Sequence, residues 1–188
     1  MSTSQTLGVL CQVCAFLGGP YDPTNHDYRS SPIEGLGFVQ RAILKPGERE
    51  FTAFAMPGTT GSLAVVAVTG VRETRESGTT RAGWLERTYA LEVHVYTRSA
   101  KLDQVEAGDD VFQLVDRILD ALRADPTCGS GGYHYPAPDG PQAGTWGFVV
   151  GEGNVPPTTA DYGRPSPVEA YTQQVVVIRA TATQQVQG

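Results

Sequence analysis

The sequence predicts an α+β protein: a small antiparallel β-sheet with a long projecting hairpin, packed against one main amphipathic helix over 103–124, with long Gly/Pro-rich loops. Three observations carry that prediction. Residues 84–97 (WLERTYALEVHVYT) place Leu85, Tyr89, Leu91, Val93 and Val95 on one side and Glu86, Thr88, Glu92 and His94 on the other, the period of a strand with one buried face. Val111, Val115, Ile118 and Leu122 recur at helical spacing, joined by Phe112, Leu114 and Leu119 in a broad apolar stripe. With 22 glycines and 13 prolines in 188 residues, a helical bundle is disfavoured.

The chain divides into an amino-terminal arm or first element over 1–61 and an α+β domain over 62–188. The run Leu7–Leu17 is apolar but about half the length of a membrane span, and it lacks a basic leader and a small-residue cleavage site, so it reads as a buried first element. Turn chemistry follows at Gly18-Gly19-Pro20 and Tyr21-Asp22-Pro23, and residues 48–57 read as a short strand or extended arm. Residues 63–71 (LAVVAVTGV) form a continuous apolar run, the pattern of a strand covered on both faces. Joined to 84–97 through a charged, turn-rich stretch, they predict the hairpin and its projecting tip. In the helix, Asp103, Glu106, Asp109 and Asp110 crowd the start and Arg117 and Arg123 lie nearer the end, as the helix dipole favours; Pro126 stops it. Residues 127–170 are rich in Gly, Pro and Ser, with one short strand at 145–150, and 171–183 is a closing strand.

Composition excludes several function classes. A net charge of −6 without a basic cluster argues against a conventional reader of nucleic acid. Three cysteines cannot pair completely, which points to a reducing compartment. Charged residues make up only 18%, a thin coat that leaves uncharged surface to meet other protein.

Chemistry-bearing motifs are sparse. Cys11 and Cys14 form a C-x-x-C, but within an apolar run, and no paired ligands at zinc spacing accompany them among Cys128, His26, His94 and His134. His94 lies on the polar side of its strand, where a cross-strand or interface role is the ordinary one. Gly151-Glu152-Gly153-Asn154-Val155-Pro156 carries Pro where a dinucleotide fingerprint needs its third Gly, and there is neither a nucleophile elbow nor a P-loop. Asp109-Asp110 and Asp116/Asp120 follow helical spacing and read as a solvated or inter-subunit face. The residues therefore predict no catalytic, cofactor-binding or metal-ligating set.

The segment from Tyr89 to Gly132 resembles the tail terminators, or tail-to-head joining proteins, of long-tailed bacteriophages. The resemblance rests on the strand end LEVHVYT, the polar joint RSAKLDQVEAGD, the helix VFQLVDRILDALRADPT, the run GSGG and, further on, the closing strand QVVVIRATAT. It implies a structural virion protein, assembled in the host cytoplasm and located at the head–tail junction. Copies would form a homohexameric ring that caps the tail tube protein and docks on a head-completion or connector protein, with genomic DNA passing through the lumen and no membrane involved. The amino-terminal third is longer than the short leading helix of that family.

A ring subunit must offer two different surfaces to its neighbours. Arg72, Glu73, Arg75 and Glu76 at the hairpin tip are candidates for one contact, since mixed charge sets register, and the loop aromatics Tyr133, His134 and Tyr135 are candidate anchors for another. The net negative charge suggests an acidic bore that would not hold passing DNA. The competing expectations are a head-closure, neck or minor tail protein, a small thiol- or metal-dependent enzyme built on Cys11, Cys14 and His134, and a monomeric β-rich binding module.

Overall fold

The computed structural model describes residues 5–41, 60–75, 84–100, 104–129, 149–150, 158–168 and 170–187. Three long strands, β4 (Gly61–Arg75), β5 (Trp84–Ser99) and β9 (Tyr171–Gln187), form its spine. β5 lies between β4 and β9 and is antiparallel to both, with one register shift between Val68 and Gly70 where β4 bulges. On the far side of β4 stand β3 (Phe38–Arg41), β2 (Asp27–Tyr28) and β1 (Tyr21–Asp22); on the far side of β9, the short strands β6 (Val149–Val150), β7 (Thr158–Tyr162) and β8 (Ser166–Val168) pair in turn along its length.

The class is the α+β expected, with two differences. The sheet is mixed, because β3 runs parallel to β4, pairing Phe38 to Leu63 and Arg41 to Val66. A second helix, α1 (Gln5–Gly18), packs on β2, β3 and β4 beside the predicted one, α2 (Gln104–Ala124), which contacts β5 and β9. α1 is the apolar run Leu7–Leu17 wound so that Val9, Val13, Cys14 and Leu17 share one buried face. It ends where Gly19 takes a positive φ of 81° and donates to the Ala15 carbonyl. The Ser31 hydroxyl and the Ser30 amide cap the Leu17 and Gly18 carbonyls left over.

Both helices cover the same face of the sheet, and one core joins them. Ala64, Val66 and Val68 of β4 meet Leu91, Val93 and Val95 of β5 and Val176, Ile178 and Ala180 of β9 beneath Val111, Val115, Ile118 and Leu122 of α2. The opposite face carries a smaller buried cluster of Leu63, Val65 and Tyr96 with Phe38 and Val175 against it. β4 is thus buried on both faces from Ser62 to Ala67; from Thr69 to Thr74 it is exposed, a boundary that the continuous apolar run 63–71 did not reveal.

The turn after α2 ties the layers together. Asp125 accepts from the Thr127 amide and hydroxyl and from the Gly129 amide, Pro126 accepts from the Val150 amide, and Gln12 of α1 donates to the Cys128 carbonyl. Of the strand expected at 145–150, Val149 and Val150 form β6 and 145–148 lie outside the described residues, as does the extended segment expected at 48–57.

Candidate interaction surface

Each long strand has an edge, and the edges decide what this sheet can bind. β3 covers β4 only as far as Val66, so among the described residues no strand pairs with the outer side of β4 from Ala67 to Arg75. An uncovered edge presents backbone donors and acceptors to any other strand. Val71 is 48% exposed there, Arg72 is exposed beside it, and Glu73 forms an ion pair with Arg87 of β5. Arg72 and Glu73 occupy successive positions and so point to opposite faces of the ribbon. Arg75 pairs with Leu85 in the backbone register. Glu76, Tyr133, His134 and Tyr135 lie outside the described residues.

At the opposite edge, β7 pairs with β9 and, among the described residues, with nothing beyond it. Here Tyr162 meets Phe112 of α2 edge to face, with ring centroids 5.0 Å apart, and the two rings are 43% and 46% exposed. Phe112 is therefore not part of the buried stripe in which its apolar character placed it: it lies one helical step, about 100°, from Val111, at the stripe's margin. Asp109 and Asp116 flank it on α2, both exposed. Partial burial and the charge of Asp116 push the Tyr162 phenol above its ordinary range.

On the face away from the helices, Arg179 of β9 bridges Glu92 of β5 at 3.1 Å and Asp161 of β7, and His94 contacts Glu92 at 2.8 Å while stacking on Tyr96. The hydrogen bond from His94, followed by that from Arg179, holds the Glu92 carboxyl below its usual range. The contacts of His94 thus run along its own strand, to Glu92 and Tyr96, and the link across to β9 is made by Glu92 with Arg179.

The thiols are structural in character. Burial pushes Cys14 and Cys128 up to about 12, the reverse of an activated nucleophile, while half-buried Cys11 takes the Arg41 guanidinium on its sulfur at 3.3 Å. Among the described residues no group of three His, Cys, Asp or Glu is placed to hold a metal ion. A cleft of about 540 Å³ opens where the strands end beneath α2, lined by Ser62, Thr97, Thr172 and Gln174 on the sheet and Val111 and Leu114 on the helix.

The chain matches no protein-family model, and no curated protein is significantly similar to it.

Proposed function

We propose that this protein is a tail terminator: a subunit that closes with copies of itself into a ring on the end of a bacteriophage tail tube and joins that tube to the head-side connector. The observation that carries the proposal is the outer half of β4, a nine-residue strand edge from Ala67 to Arg75 that no strand among the described residues covers, on a ribbon whose neighbour β5 continues beside it. A long uncovered edge is an aggregation hazard unless a defined partner finishes it, and a ring of identical subunits finishes every such edge at once. The likeness of residues 89–132 and 174–183 to tail terminators supports the same function. In this account the hairpin tip beyond Arg75 and the loop carrying Tyr133, His134 and Tyr135 are contact elements, and acidic side chains line the bore.

The test is electron microscopy of the purified protein mixed with tail tubes. Six-fold rings seated at one tube end are expected. Monomers that ignore the tubes, or rings that bind the capsid portal and leave the tube untouched, would overturn the proposal.

A further inference from the structure

Two exposed apolar spots lie on opposite sides of the three-strand spine β4-β5-β9, and they match in more than hydrophobicity. One is Val71 on the edge of β4, the other the Phe112–Tyr162 pair beside the edge of β7, both edges uncovered among the described residues. Successive side chains of a strand alternate between faces, and the small rotation between neighbours in a ring does not turn a sheet over, so an edge-to-edge contact there joins like face to like face. Val71 pairs with Tyr89, which points into the helix-side core, and Tyr162 pairs with Val176, which points the same way. α2 with Phe112 lies on that face as well. Arg72, the next residue, points to the other face, and so does Asp161, the residue before Tyr162.

Charge follows the same correspondence. Asp161 shares the guanidinium of Arg179 with Glu92, which His94 also contacts. Asp109 and Asp116 add negative charge on the helix side. At the β4 edge Glu73 is already engaged by Arg87, leaving Arg72 as an exposed cation beside Val71.

We infer that the occupant of the β7–α2 edge is a second copy of this chain, whose Val71 packs against Phe112 and Tyr162 on the helix side while its Arg72 reaches Asp161 on the open side. The inference rests on the ring proposal and specifies its contact. Because the two patches differ, the contact is heterologous, the kind that builds a ring when its rotation closes.

Sedimentation velocity of four proteins tests it: wild type, Arg72→Glu, Asp161→Lys and the double exchange Arg72→Glu/Asp161→Lys. All the substituted side chains are exposed, and circular dichroism checks that each variant is folded. Each single reversal should weaken self-association about tenfold or more at low salt, and the exchange should recover it to within about threefold. A benzophenone side chain placed at Phe112 should crosslink, between isotopically distinct copies, to the peptide containing Val71. Rings that form equally well in both single variants, or crosslinks from position 112 only to other segments, would overturn this contact and leave the ring proposal standing. A wild-type protein that stays monomeric with tail tubes present would overturn both.

Discussion

The same chemical change, glycine to alanine, should act in opposite directions at two positions. At Gly163, in the corner between β7 and β8, a Cβ would sit 2.6 Å from the Val175 carbonyl oxygen, well inside the 3.4 Å at which ordinary contact begins. That carbonyl belongs to β9, which β5 holds in place along its whole length, so the corner must give way. Two hydrogen bonds are at stake, Gly163 N–H to Val175 O and Gln174 Nε2 to Gly163 O, both 2.8 Å. At about 0.5–1.5 kcal/mol net each, Gly163→Ala should destabilise the β7–β8 corner by about 1–3 kcal/mol. Gly8 on α1 has nothing within 4 Å of a Cβ, so Gly8→Ala should stabilise by about 0.5–1 kcal/mol through helix propensity alone. Hydrogen exchange reads the first effect locally: amides at 160–163 should exchange about ten- to a hundredfold faster, while those of α1 keep their wild-type rates. Denaturant unfolding reads the second as a raised midpoint with unchanged slope. Equal shifts of the same sign at both sites, or unchanged exchange at 160–163, would refute the reasoning. Because Tyr162 precedes Gly163, the same variant should also weaken self-association.

Three further outcomes are expected. The Cys14 and Cys128 thiols stay protonated in the fold up to about 12 but ionise near 9 when unfolded. The unfolded chain then binds fewer protons between those values, so stability should fall as pH rises through that window, by up to about 1.4 kcal/mol per pH unit per thiol; Cys14→Ala/Cys128→Ala should flatten the slope in urea melts. Of the three thiols, Cys11 alone should react with a disulfide reagent in the native protein, and all three should react in guanidinium; fast native labelling of Cys14 or Cys128 would contradict their burial. Asp125→Ala should cost about 1–2 kcal/mol in thermal unfolding by stripping the turn after α2 of its acceptor, with Asp125→Asn retaining most of the stability. The hydrogen bonds from Thr127 and Gly129 hold the Asp125 carboxyl below its ordinary range, so its contribution is present at neutral pH and lost as the solution is acidified through that lowered value, a dependence the Asn variant should lack.

What the sequence made legible was whatever a single element determines by its own period. The alternation across 84–97 and the stripe through Val111, Val115, Ile118 and Leu122 require partners only in the general sense of an apolar surface to lie on, and both elements stand where the pattern puts them, residue 103 lying outside the described residues. Residues 5–41 were less legible for the same reason in reverse. β1 and β2 are two residues each and β3 is four, too short to carry a period; α1 and β4 hold β3, α1 and β3 hold β2, and β1 pairs with β2. The parallel pairing of β3 with β4 is likewise a fact of topology, and nothing in FVQR distinguishes a parallel neighbour from an antiparallel one.

The interaction surface divides along the same line. Charge at the hairpin was visible in the residues themselves, so Arg72 and Glu73 could be singled out, although Glu73 is engaged within the chain by Arg87, leaving Arg72 as the exposed cation beside Val71. Phe112 was visible too, but as core, because an apolar residue next to Val111 in a strongly amphipathic helix is indistinguishable by spacing from one that is buried; it is exposed where, among the described residues, the sheet beneath α2 ends at β7. Tyr162 and Asp161 sat in a Gly/Pro-rich stretch with no period at all, and their faces are defined only by the register of β7 on β9. An edge is where a sheet stops, and stopping is a property of the strands that are not beside it. Subunits that assemble edge to edge therefore place their recognition residues where local patterns are least informative, and matching faces and charges across two such edges is how the contact can be found.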